Sequence, residues 1–274
     1  MNMKNNFNYY FLLLVSLMIS CNKAKTPKAK KGQPQQNIAI LIDNSISMVS
    51  KDFAPDRITV MKEVLKNIID HKKENQAFSI VVYSGNSYIL CPLTKDKNQL
   101  LSAVNKLSLG LLKLKPGTNF SNPLLNGIFS LSSTFDHKSM ILFTDGKENV
   151  KSYSLDIPIQ DAIKNNIKVN TVLFSSKDFA MAPTQVDLDG NFVFSKTKIE
   201  IDSTQLKQIS SETGGIFKTF YTKDEFTKYD FNTLISQDQH SKNKKASPEV
   251  NNDRLSKIYK QIENTNDSMA VKFK

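Results

Sequence analysis

Three apolar runs constrain this chain more than any other feature: IAILI (38–42), FSIVVY (78–83, broken only by Ser79) and MILF (140–143). A half-exposed strand alternates apolar with polar residues. Runs this continuous belong to strands buried on both faces, which is the situation of a parallel sheet covered by helices. The segments between them have helical spacing. PDRITVMKEVLKNIIDHK (55–72) carries apolar residues at 58, 60, 61, 64, 65, 68 and 69, and 95–108 does so through Leu100, Leu101, Val104 and Leu107. Further helices are predicted over 122–135 and 158–166, with IKVNTVLF (167–174) as the next strand. GNSYIL follows FSIVVY so closely that 87–90 is expected to pair with it antiparallel. The implied fold is α/β: a doubly wound, mostly parallel central sheet of Rossmann type, with one short antiparallel edge strand and helices on both faces. Residues 180–200 interrupt the pattern as a hairpin turning at Asp189-Gly190. Asp202-Ser203 then caps a helix through Thr213, Gly214-Gly215 ends it, and IFKTF is a last strand.

The hydrophobic fraction, 39% of 274 residues, falls below the globular average of about 45–50%, which suits one core domain with polar extensions. Tyr9–Ile19 is apolar apart from Ser16, too short to span a bilayer and of the length of a signal-peptide core. Its end, LMISC, resembles a bacterial lipobox. That resemblance implies cleavage before Cys21 and a lipid on that cysteine. Residues 22–36 read as a flexible tether. The expected organisation is therefore a signal peptide (1–20), a lipidated tether (21–36), a domain (37–222) and a C-terminal extension (223–274). In the extension, Phe226–Ile235 is expected as a short helix, 240–253 as a linker, Asp253–Asn264 as a helix and MAVKF (269–273) as an edge strand.

The formal net charge of +11 is concentrated at the ends. Six lysines and no acids lie within residues 1–36, and the segment from 237 onward adds about +3, which leaves only about +2 on the middle. A nucleic-acid-binding face is not indicated, because no basic stripe falls on the core. The tether lysines suit anionic lipid headgroups. With Cys21 lipidated, Cys91 has no disulfide partner and is expected to be buried.

In open parallel sheets ligands bind at the carboxyl ends of the strands. The first run ends on Asp43, followed by Ser45 and Ser47, and MILFT ends on Asp145. KPGTNFSNP (115–123) offers Thr118 after a forced turn. Asp43, Ser45, Ser47, Thr118 and Asp145 make two carboxylates and three hydroxyls. Hard oxygens without His or Cys suit Mg²⁺, with Ca²⁺ and Mn²⁺ as alternatives, and do not suit zinc.

This constellation resembles the metal-ion-dependent adhesion site of von Willebrand factor A domains. The family pattern is D-x-S-x-S after the first strand, a threonine in a later loop and an aspartate after a central strand. The resemblance implies that all five residues bind a divalent cation, directly or through water, and that an Asp or Glu of a partner protein completes its coordination. CPLTKDKNQLLSAVNKL (91–107), MILFTDG (140–146) and IEIDSTQLKQISSETGGIFKTF (199–220) look like the bacterial Bat proteins of aerotolerance operons, and LSKIYKQIEN (255–264) looks like the helix those proteins place after the domain. Bat proteins usually have flanking membrane helices. Here a lipid on Cys21 would take their place, giving an envelope protein that faces the periplasm.

Two other readings stay open. Asp43 at the end of a first parallel strand could serve as the nucleophile of a phosphatase-like hydrolase. The expected D-x-D is absent, however, since Ser45 holds the third position, and Lys147 and Glu148 are out of pattern. Alternatively the domain could act through surface contacts without a metal. Oligomeric state is not fixed by the sequence.

Overall fold

The computed structural model describes residues 34–109, 114–134, 137–146, 148–150, 152–235 and 252–272, with the side chains of 270–272 excepted. The expectations for the signal peptide, Cys21 and the tether to residue 33, and most of the 240–253 linker, lie outside the described residues.

Among the described residues eight strands and eight helices follow in order. They are β1 (Gln36–Asp43), α1 (Arg57–Asp70), β2 (Gln76–Tyr83), β3 (Ser87–Thr94), α2 (Lys97–Lys106), α3 (Ser121–Ser130), β4 (His137–Thr144), α4 (Asp156–Lys164), β5 (Ile167–Phe174), β6 (Phe179–Val186), β7 (Phe192–Lys198), α5 (Thr204–Thr213), β8 (Phe217–Phe220), α6 (Lys223–Lys228), α7 (Asn232–Ile235) and α8 (Asn252–Lys272). Six strands form one sheet in the order β3-β2-β1-β4-β5-β8. Every neighbouring pair is parallel except β2 and β3. The fold expected from the apolar runs is therefore the fold observed.

The pleat explains why the runs are continuous. Ile38, Ile40 and Ile42 of β1 enter one core with Ile58, Met61, Leu65 and Ile68 of α1. Ala39 and Leu41 enter the other with Leu124 and Ile128 of α3 and Leu206 of α5. Successive side chains of a strand point to opposite faces, so a strand with a core on each side carries apolar residues at every position.

Local chemistry sets the helix ends. Pro55 precedes α1 rather than entering it, and Asp56 is the N-cap, its carboxylate accepting the Thr59 N–H at 2.7 Å. The Asp202 carboxylate accepts the Thr204 N–H at 2.9 Å, and Gly214 ends α5 in the left-handed region at φ 73°. The expected helix over Phe226–Ile235 is two short ones. A capping box between Thr222 and Glu225 starts α6 at Lys223, and Tyr229, in extended conformation, separates it from α7.

Residues 269–272 of MAVKF do not form an edge strand, and Phe273 lies outside the described residues. Helix α8 continues through those residues to Lys272. Leu255, Ile262 and Met269 recur every seven residues, so Met269 stays on the helix's apolar stripe and packs against the core. On the same stripe, Asn266 accepts the Ile89 N–H of edge strand β3 at 3.0 Å and donates to Asn126 at 2.9 Å. Tyr259 stacks on Phe129 and hydrogen-bonds to Asp161 of α4. The helix thus covers a sheet edge that would otherwise offer unpaired backbone groups.

Candidate functional site

Because β1, β2, β4 and β5 run parallel, their carboxyl ends share one edge, and the loops leaving them meet there. Asp43 is the last residue of β1 and is fully buried, in register with Tyr83 of β2. One of its carboxylate oxygens accepts the Ser45 N–H at 2.9 Å, which turns the chain back on itself, and the other accepts the Thr144 hydroxyl of β4 at 2.8 Å. Residues 46–49 make one 3-10 turn. That turn sets the Ser45 and Ser47 hydroxyls 2.9 Å apart and lets Ser47 donate to Asp145 Oδ1 at 2.9 Å. Four of the five sequence-predicted residues are thus joined through hydrogen bonds across two loops.

Thr118 is not hydrogen-bonded to the other four among the described residues; its loop is fixed on its own. Its loop is tied to the end of β2, where the Ser84 hydroxyl donates to the Gly117 carbonyl at 2.6 Å and Asn119 N–H donates to the Ser84 carbonyl at 2.9 Å. Gly117 sits at φ 98°, and a Cβ there would collide with Val150, so glycine is required next to the threonine. The Thr118 carbonyl accepts the N–H groups of Asn149 and Val150 at 3.0 and 3.1 Å, and its own N–H donates to Asn149 Oδ1 at 2.7 Å. Glu148 completes the clamp: one oxygen accepts from Asn119 Nδ2 and Phe120 N–H, both at 3.0 Å, and the other accepts from Gln205 at 2.9 Å. Its carboxylate is thus engaged in holding two loops together. Lys147 lies outside the described residues.

Electrostatically the two acids differ. Burial raises the Asp43 carboxyl first, the negative charge of Asp145 raises it further, and together they push it to about 7 against the hydrogen bonds from Ser45 and Thr144. Asp145 has a cation at hand. The Arg57 guanidinium, buried at the start of α1, bonds Asp145 Oδ2 at 2.6 Å, Asp52 at 2.7 and 2.8 Å, and the Ser175 hydroxyl at the end of β5 at 3.0 Å. Burial alone would depress the guanidinium, but the charges of Asp145 and Asp52 outweigh it and keep it protonated. Arg57 and Asp52 were not among the residues singled out from the sequence. The signal available was that Arg57 lies four residues before Met61 and seven before Val64, on the apolar stripe of α1, where a charged side chain must turn inward.

These oxygens fit a hard divalent ion. An octahedral cation with bonds of about 2.0–2.1 Å sets neighbouring ligand oxygens about 2.9–3.0 Å apart. Ser45 Oγ to Ser47 Oγ and Ser47 Oγ to Asp145 Oδ1 are both 2.9 Å. Among the described residues no group of three or more His, Cys, Asp or Glu side chains is placed to hold a metal ion.

Residues 38–148, which span this sheet from the first strand to the loop after Asp145, match the von Willebrand factor type A domain family. Two of the solved structures that share this chain's fold come from Bacteroides. It is 19% identical to BatB from Bacteroides thetaiotaomicron, with a TM-score of 0.59 over 71% of this chain and 94% of that one. It is equally similar, at 19% and 0.59, to an aerotolerance-related membrane protein from Bacteroides fragilis, covering 73% of this chain and 98% of that one. An uncharacterised protein of Borreliella burgdorferi is 26% identical over 242 residues, 83% of this chain and 67% of that protein. Among the described residues no helix is long and apolar enough to cross a membrane.

Proposed function

We propose that this chain is a non-enzymatic interaction protein of the bacterial cell envelope. Its von Willebrand A domain holds a divalent cation through Asp43, Ser45, Ser47, Thr118 and Asp145, and takes an Asp or Glu of a partner protein as the remaining ligand. The cation is Mg²⁺ in first place, with Ca²⁺ and Mn²⁺ suited to the same oxygens. When bound, it supplies positive charge to a buried pair of acids and an open position for an acidic side chain. The chain's own part is to hold the oxygens at coordination spacing. The observation that carries the reading is the 2.9 Å spacing of Ser45, Ser47 and Asp145 oxygens beside a second carboxylate, Asp43, that has no cationic partner among the described residues.

Metal and partner affinity are then coupled reciprocally, because each completes the other's site. Calorimetric titration with Mg²⁺ and Mn²⁺ tests the first half. Binding should be lost in Asp145→Ala and weakened in Thr118→Ala, and equal heats in those variants would remove the reading. Crosslinking from membranes with and without EDTA tests the second half, because a partner retained in EDTA would favour a metal-independent surface instead. Anchorage through a lipid on Cys21 predicts palmitate labelling that Cys21→Ala abolishes.

A further inference from the structure

The β6–β7 hairpin forms a two-stranded sheet of its own, and its base is fixed beside the candidate metal loop. Lys51 N–H donates to the Met181 carbonyl at 3.0 Å, and Ser176, whose N–H donates to Asp52 at 2.9 Å, bonds the Phe179 carbonyl through its hydroxyl at 2.7 Å. Away from this base the strands stay paired as far as Val186 and Phe192, and the tip is exposed.

The tip has an unusual composition for a solvent loop: Asp187-Leu188-Asp189-Gly190. Asp187 is used within the turn, its carboxylate accepting the N–H groups of Asn191 at 2.7 Å and Asp189 at 3.0 Å. Gly190, at φ 86°, closes the turn with its N–H on the Asp187 carbonyl at 3.1 Å. Asp189 is left exposed, and among the described residues its carboxylate has neither hydrogen-bond nor ion-pair partner. Leu188 beside it is 106% exposed, a large apolar side chain with nothing over it. The tip therefore presents one free carboxylate and one free apolar side chain on a turn that is already ordered, so little conformational entropy is lost on docking.

The metal edge has the complementary features. Ile46, between the two serines, is 50% exposed, and Phe179 and Met181 at the hairpin base are 49% and 43% exposed. Lys51 lies over the Phe194 ring at 4.0 Å and Lys196 over Phe179 at 4.7 Å, adding positive charge to that apolar surface. The chain's own tip cannot reach this edge. The paired ladder holds Met181 to Val186 extended, about 17 Å at ~3.3 Å per residue, and Leu188 lies beyond its end.

We infer that the metal edge of one copy of this chain takes the hairpin tip of a second copy, with Asp189 supplying the acid to the cation and Leu188 packing against Ile46. The inference rests on the proposed metal site and names one partner for it. The contact is heterologous, since tip and edge are different surfaces, so association continues into rings or open chains instead of stopping at a dimer. A lipid surface is a poorer occupant, because carboxylates flank Leu188 on both sides.

Sedimentation velocity of the full chain in dilute detergent tests this. Mg²⁺ should produce species that grow with protein concentration, and EDTA should return the monomer. Asp189→Asn and Leu188→Ala, both at exposed positions, should each weaken association at least about tenfold. A mixture of Asp189→Asn, which keeps the edge, with Thr118→Ala, which keeps the tip, should stop at a one-to-one pair. Association that persists in EDTA, or is unchanged in Asp189→Asn, overturns the inference. So does Leu188-dependent binding to phosphatidylglycerol vesicles in EDTA. Mg²⁺ titration of the same sample separates the two failures. A chain that binds Mg²⁺ yet stays monomeric defeats this inference alone, whereas a chain that binds no Mg²⁺ defeats the metal site and the inference with it.

Discussion

Asp43 and Asp52 are acids of the same segment, on either side of the 3-10 turn, and both are withdrawn from solvent, yet their electrostatics are opposite. Asp43 ends β1 among apolar strands and faces a second carboxylate, so its carboxyl is pushed up to about 7. For Asp52 burial also acts upward, but the hydrogen bonds and charge of Arg57, with the Ser176 N–H, outweigh it and hold the carboxyl below its ordinary value. The difference lies in which acid the single guanidinium serves. Arg57 reaches Asp52 and Asp145, and among the described residues no cation pairs with Asp43. A region built for stability pairs its buried charges. Here one segment carries a paired acid, Asp52, and an acid beside a second carboxylate, Asp43.

The most severe way to break the comparison is Arg57→Ala. Removing the guanidinium leaves Asp52 and Asp145 buried and uncompensated, and deleting one partner of a buried ion pair costs about 3–5 kcal/mol. Urea denaturation should show a loss of this size, and a loss below about 1 kcal/mol would mean that the acids find solvent or another partner. Asp43→Asn should act in the other direction. In EDTA at pH 8 it removes an unpaired buried charge, so the variant should be more stable than the parent by about 1–3 kcal/mol, where each unit of pKa displacement corresponds to about 1.4 kcal/mol. The same variant should lose the stabilisation by Mg²⁺ that ligand linkage gives the parent. Lower stability of Asp43→Asn in EDTA would contradict the unpaired state of this carboxylate.

The contrast also shows what the amino-acid sequence can convey. Asp43, Ser45 and Ser47 are close in sequence, and Asp145 ends a strand, so knowing that the strands are parallel is enough to bring them to one edge. The turn before Thr118 is legible too, since it is written in Pro116-Gly117. The Arg57 network was not legible, because it depends on how far α1 leans over the ends of β4 and β5, and no local pattern encodes that distance. Only its direction could be read, from a charge on the apolar stripe. Helix α8 gives the same lesson: MAVKF alternates like a strand over five residues, but its methionine continues a seven-residue spacing that begins at Leu255, and the longer pattern prevailed because it carries the buried contacts.

The mildest test separates the two acids by pH alone. The folded-state pKa of Asp52 lies below its unfolded value of about 3.9, so the folded protein favours its ionised form more than the unfolded chain does. Its contribution to stability is therefore fully present above the unfolded value and is lost as pH falls through the folded one. Asp52→Asn removes this contribution at every pH, so the variant should be less stable than the parent at neutral pH, and the gap should close as both are acidified below about pH 4. Urea midpoints across that range measure it. A gap that stays constant into acid would mean that Arg57 stabilises Asp52 only through neutral hydrogen bonding, and the distinction between the paired and the unpaired acid would then have no electrostatic basis.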